Sequence, residues 1–148
     1  MRGMSARSSV GAIPAPSVLI VEDEILIGLG LAMALNVAGH RVHGPTGSVR
    51  RALSIAAEVS PEIGLIDINL RGHAEGVALA RLLHQRHATT IVFLTAQLEE
   101  ARLARDCAFG MVAKPYDLIL LPRVVEAAAR HRRGEPLGPL PCSLEVFR

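Results

Sequence analysis

A doubly wound α/β fold is predicted for this chain, with five parallel strands in one sheet and five helices on its two faces. Three observations predict it. Apolar, strand-like runs alternate strictly with stretches of helical period. Two of those runs, Ile63-Gly-Leu-Ile-Asp and Thr90-Ile-Val-Phe-Leu-Thr, are apolar almost throughout, as central strands covered on both faces must be. Helix starts and stops fall between the runs, at Gly39, Ser48 and Pro61.

The elements follow in order. Ser17–Val21 reads as a strand, and Glu24–Ala38 as a helix that Gly39 closes. Arg41–Gly44 is a short strand, and Ser48 caps a helix running to about Val59. Pro61 breaks that helix before the strand Ile63–Ile68. Gly76–His87 is helical, Thr90–Thr95 a strand, Glu99–Cys107 a shorter helix and Gly110–Ala113 a short strand. The last helix spans Leu118 to Arg132. Pro122 is tolerable only in a first turn, so its regular part begins near Leu121. Residues 1–16 read as a flexible leader, 17–133 as the domain, and 134–148 as a Gly/Pro-rich tail that packs against the last helix.

Composition bounds the function classes. A chain of 148 residues, 50% hydrophobic, carries one full core and has no room for a second domain. Its net charge of +2 gives no global pull toward nucleic acid, and 3% aromatic content leaves few platforms for stacking bases. The arginines are dispersed or terminal and read as solvated. Cys107 and Cys142 form neither a disulfide framework nor a metal knuckle, which points to a reducing cytoplasm. No signal peptide precedes the domain, and the apolar run Ile25 to Leu35 is too short to cross a bilayer. No nucleic acid and no membrane are therefore expected as partners.

Four pieces carry the chemistry: Glu22-Asp23-Glu24, Asp67-Ile-Asn69, Thr95-Ala96 and Lys114-Pro115. Each follows a strand-like run, so a parallel sheet brings all four to its carboxyl end, where ligands of such folds bind. Glu22, Asp23 and Asp67 would crowd three carboxylates into one crevice, which requires a cation or a raised pKa. Mg²⁺ takes carboxylate and phosphate oxygens, with the Asn69 backbone carbonyl as a further donor. Thr95 and Lys114 suit the oxygens of a transferring phosphoryl group, and Asp67 is then its nucleophile. Taken singly, each has an ordinary explanation: charges at a helix N-terminus, a turn aspartate, an N-cap, a solvated lysine. Four in order at strand ends are far harder to explain that way.

From about Ser17 to Arg132 the pattern resembles the response-regulator receiver domain of two-component signalling, in its stand-alone single-domain form. The resemblance implies a flavodoxin-like sheet of order 2-1-3-4-5, phosphorylation of Asp67 with Mg²⁺, and a cis bond at Lys114-Pro115. It also implies a histidine kinase or histidine phosphotransfer protein as donor, slow autodephosphorylation rather than enzymatic turnover, and output by protein contact or onward phosphotransfer. The face of the fourth helix, fifth strand and fifth helix, around Met111, is a candidate for homodimerisation. Met111 stands where the family usually has an aromatic switch residue, and Arg71 where it often has proline.

The first helix has more apolar residues than one stripe needs. Leu26, Gly30 and Met33 are expected outward, opposite Leu29, Ala32 and Leu35, to dock the donor's helices. Two rival classes remain. One is a receiver-like interaction module that works without phosphorylation. The other is an aspartate-nucleophile hydrolase, disfavoured because Asn69 stands where an acid/base aspartate would be needed.

Overall fold

A computed structural model describes residues 15–148. Most of the expected leader, 1–16, therefore lies outside the described residues. The chain alternates β1 (Ser17–Val21), α1 (Ile25–Val37), β2 (Arg41–Thr46), α2 (Val49–Val59), β3 (Ile63–Ile66), α3 (Gly76–His87) and β4 (Thr90–Thr95). It continues through α4 (Leu98–Leu103), a 3₁₀ turn (Arg105–Cys107), β5 (Gly110–Ala113), a second 3₁₀ turn (Leu118–Leu120), α5 (Leu121–Arg132) and β6 (Leu144–Val146). The first five strands are parallel in the order 2-1-3-4-5, as expected.

Strand alternation sorts the core into two layers. Val18, Ile20, Ile63, Leu65, Val92, Leu94 and Val112 face α1 and α5, meeting Leu31, Leu35, Val124 and Val125. Leu19, Val21, Ile66, Ile91 and Phe93 face α2, α3 and α4, meeting Ala52, Ala56, Leu79, Leu83 and Ala101. Alanines on α2 and α4 let those helices lie close to the sheet. Among the described residues no helix is long and apolar enough to cross a membrane.

Helix ends follow the sequence signals. Ser48 accepts a hydrogen bond from Arg51 N–H as the N-cap of α2, and Gly39 takes the left-handed conformation after α1 at φ +93°. Pro122 sits in the first turn of α5. β2 runs two residues further than expected, through Pro45 and Thr46. It is an edge strand, where a missing N–H is tolerated, and its register against β1 is irregular there. The pairing of β3 stops at Ile66 rather than Ile68.

Three expectations need correction. First, the sheet has a sixth strand, because the tail does more than pack Leu137 and Leu140 beside α5. It returns as β6, pairing antiparallel with β5 through Gly110–Val146, Met111–Glu145 and Val112–Leu144. Leu144 enters the core, and Arg102 on α4 forms a two-pronged ion pair with Glu145 at 3.0 Å. A three-residue strand inside a Gly/Pro-rich stretch has no period for sequence reading to detect. Second, Met111 is 3% exposed, so its own side chain lies inside the α2/α3/α4 layer rather than at the surface, and β6 pairs along the β5 edge. Third, α1 buries Gly28, Leu31 and Leu35 and exposes Leu29, together with Leu26 and Met33, while Gly30 is half-buried. Its thirteen residues include no charge, so periodicity alone cannot choose a face. Gly28 lies on the buried face with Leu31 and Leu35, where any Cβ would meet Pro45 Cβ at 2.8 Å.

The β5–β6 pairing makes a test. A Cβ at Gly110 would lie 2.4 Å from the Glu145 carbonyl oxygen. Gly110→Ala should therefore expel β6, and the amide of Phe147, bonded to the Phe109 carbonyl, should exchange at least about tenfold faster. Unchanged exchange there would mean that the strand accommodates the methyl.

Candidate functional site

The carboxyl ends of β1, β3, β4 and β5 converge on one crevice of about 240 Å³, lined among others by Asp23, Asp67, Asn69, Thr95 and Lys114. Backbone hydrogen bonding places its walls. Asp67 N–H donates to the Val21 carbonyl at 2.9 Å and Lys114 N–H to the Thr95 carbonyl at 3.0 Å, so each functional residue is tied to the neighbouring strand. Glu22, Asp23 and Asp67 each offer a carboxylate oxygen, all within 4.8 Å of one another. These are hard oxygen donors of the kind Mg²⁺ takes, so the residues present fit a divalent cation.

Lys114 organises two of the three. Its ammonium donates to Glu22 Oε1 at 2.8 Å and to Asp67 Oδ2 at 2.9 Å. Glu22 is 4% exposed and Asp67 7%, so neither is screened well by water. Burial pushes the Glu22 pKa above its ordinary value, and hydrogen bonds from Lys114 and the Glu24 amide pull it only part of the way back. Burial would lower the Lys114 pKa, but the hydrogen bonds it donates to both carboxylates outweigh that and hold the ammonium well above its ordinary value. One cation among three carboxylates leaves the crevice with a net negative charge. A second cation would find complementary charge there.

The remaining oxygens are held by backbone. Asn69 N–H reaches Asp67 Oδ1 at 3.3 Å, and Arg71 N–H donates to Asp23 Oδ2 at 2.8 Å. Thr95 is fully buried, and its hydroxyl accepts from Gln97 N–H at 2.9 Å, which fixes the turn into α4. Lys114-Pro115 is cis, as the resemblance implies.

The structure thus gathers Glu22, Asp23, Asp67, Asn69, Thr95 and Lys114 at one place. Leu26 borders a neighbouring apolar groove of about 580 Å³ that runs from Lys114 along Pro115, Tyr116 and Leu118. A Cβ on Gly30 would touch Leu118 Cδ1 at 3.0 Å, so Gly30 sits under that groove's far wall. Met33 lies exposed one helical turn further on, and Met111 does not line the crevice but is buried in the α2/α3/α4 layer.

Sequence reading missed Tyr116, Leu118 and Ile119, which extend the apolar surface past Lys114. The signal available was the chain's one tyrosine lying two residues beyond Lys114. Tyr116 Oη is buried without a hydrogen-bond partner among the described residues. Burial raises its pKa to about 12, with the nearby lysine opposing and the carboxylates adding to the shift. A raised folded pKa means stability that is whole below the unfolded value near 10 and falls as pH climbs toward 12. As the only tyrosine, it reports directly: tyrosinate absorbance of the folded protein should rise well above pH 10. A midpoint near 10 with native circular dichroism would contradict the burial.

Comparison with known proteins is consistent with this geometry. The family model described as "Response regulator receiver domain" matches residues 18–126. The chain is 31% identical over 119 residues to the transcriptional regulatory protein PdtaR of Mycobacterium tuberculosis, a match that covers 78% of this chain and 58% of PdtaR. It is 32% identical over 115 residues to the regulatory protein AtoC of Escherichia coli, covering 75% of this chain and 24% of AtoC. Among solved structures, the signal receiver domain of a modulated diguanylate cyclase from Desulfovibrio desulfuricans superimposes with a TM-score of 0.73 at 33% identity. That match covers 82% of this chain and 99% of the other. The chain therefore spans little more than half of PdtaR and a quarter of AtoC.

Proposed function

The chain belongs to the response regulator receiver domain family, and from that premise we propose that it accepts a phosphoryl group onto Asp67 in a Mg²⁺-dependent reaction. The observation that carries this is the Lys114 ammonium bridging Glu22 and Asp67 within the three-carboxylate group. Glu22, Asp23, Asp67 and the Asn69 carbonyl would hold the cation. When bound, it would neutralise charge shared by Asp67 and the phosphoryl oxygens. An Asp67 oxygen attacks phosphorus, the bond from phosphorus to the donor's imidazole nitrogen breaks, and the freed imidazole takes a proton from water. Lys114 and Thr95 stand at the crevice walls to meet the equatorial oxygens of that group. Water then removes the phosphoryl group slowly.

The donor in this proposal is a histidine kinase or histidine phosphotransfer protein. Leu26, Leu29 and Met33 form a row of exposed aliphatics on α1, 84%, 53% and 68% exposed, beside the groove that ends at Lys114. Such a row suits the apolar seam of a helical bundle. Met33→Glu should slow transfer from a phosphohistidine protein at least about tenfold, yet leave labelling by acetyl phosphate unchanged. Equal slowing by both donors would remove the docking role. The signal then leaves by protein contact or onward transfer. A homodimer through α4, β5 and α5 would have to form over β6 or displace it.

A second reading has one observation in its favour. Met111 is buried and lacks a hydroxyl, so it cannot act as an exposed-to-buried aromatic switch coupled to Thr95. A receiver-like module that binds partners without phosphorylation would need no such switch. Incubation with acetyl phosphate and Mg²⁺, followed by intact-mass analysis, separates the two: a phosphate-sized gain supports the phosphoacceptor. Absence of a gain with both acetyl phosphate and a phosphohistidine protein supports the module.

A further inference from the structure

Glu22 and Asp67 are each held by Lys114, but Asp23 is not, and its position has a different origin. Gly47 lies in the turn between β2 and α2, and a Cβ built on it would fall 2.6 Å from Asp23 Cβ and 2.7 Å from Asp23 Cα. Gly47 is not among the positive-φ glycines, so space rather than backbone conformation demands glycine there. A methyl group could enter only by moving Asp23 or the turn, because the nearest atoms belong to or adjoin the backbone. The loop after β3 supplies the other constraint, since Arg71 N–H donates to Asp23 Oδ2 at 2.8 Å across forty-eight residues of sequence.

We propose that Gly47 and the Arg71 amide are positioning residues for the cation ligand Asp23. The missing side chain at 47 lets Asp23 sit back against the β2–α2 turn. The amide then fixes one carboxylate oxygen and leaves the second for the cation. This inference rests on the reading of the acidic group as a divalent-cation site. Groups that hold a ligand from behind typically matter about 10–100-fold in metal affinity.

The test is calorimetric titration of the full chain with Mg²⁺, beside thermal melting of the cation-free protein. Gly47→Ala should bind Mg²⁺ about 10–100-fold more weakly. Gly28→Ala serves as the comparison, because its new methyl presses on Pro45 at 2.8 Å and stands only at ordinary contact distance, 3.8 Å, from the Glu22 carbonyl. It should cost melting temperature but stay within about twofold of wild-type affinity. Equal losses of affinity in both variants would reduce Gly47 to a general packing residue and overturn the proposal, as would wild-type affinity in Gly47→Ala. If wild type itself bound no Mg²⁺, the cation reading would fall and this inference with it. If Gly47→Ala did not fold, the Arg71 amide decides. Its hydrogen exchange should be slow in wild type and at least about tenfold faster in Asp23→Ala, and equal exchange in both overturns the proposal.

Discussion

Asp67→Asn should abolish the phosphate-sized mass gain expected of the wild-type protein with acetyl phosphate and Mg²⁺. The expected loss is complete, because an amide oxygen lacks the charge and basicity to displace a leaving group from phosphorus. The variant should remain folded, which makes the result interpretable. Asp67 is 7% exposed and shares the Lys114 ammonium with Glu22, with Asp23 also within 4.8 Å. Neutralising one of three crowded carboxylates relieves repulsion, so melting temperature in the absence of cation should hold or rise. Mg²⁺ affinity should fall, since one ligand oxygen loses its charge. Persistent labelling of Asp67→Asn would place the acceptor elsewhere. Resistance of the wild-type adduct to alkali would argue against an acyl phosphate.

Lys114→Met separates charge from packing, because methionine fills similar space without the ammonium. It leaves Glu22 and Asp67 nearly buried and facing each other, and uncompensated buried charge of this kind typically costs about 3 kcal/mol. The loss should depend on pH with a definite sign. The Glu22 pKa is already raised in the folded protein by burial, and removing Lys114 leaves only the Glu24 amide to pull it back. A carboxyl with a raised folded pKa brings a penalty that is absent below the unfolded value near 4.5, grows as pH rises from there to the folded value, and is complete above it. Melting curves should therefore show a large deficit at neutral pH and a small one near pH 5, and Mg²⁺ should restore part of the deficit at neutral pH. Phosphoryl acceptance should drop steeply in the same variant. An equal deficit at both pH values, untouched by Mg²⁺, would mean that Lys114 serves only as a packed aliphatic stem.

The exposed α1 row carries the same lesson in a different form. Leu26 and Met33 were correctly placed outward by sequence reasoning, but Leu29 was not, because a helix with no charged residue has no polar face to orient it. The buried face includes Gly28, where a side chain would collide with Pro45 seventeen residues further along the chain. Met111 shows the opposite case. Its place on β5 was legible, yet its side was not, since a strand apolar throughout has no alternation to reveal which layer each residue enters.

What the sequence alone determined is the alternation of elements and the chemistry at the strand ends. Both follow from local rules: apolar runs, caps, helix breakers, and the requirement of a parallel sheet that its strand ends share one edge. Glu22, Asp23, Asp67, Asn69, Thr95 and Lys114 needed nothing more to be brought together. Tertiary structure alone decided which carboxylates share the ammonium, how Asp23 is seated against Gly47 and the Arg71 amide, and that Leu144–Val146 closes the β5 edge. Those contacts join segments far apart in the chain. Periodicity encodes which face a residue prefers, but not which distant backbone it will meet there.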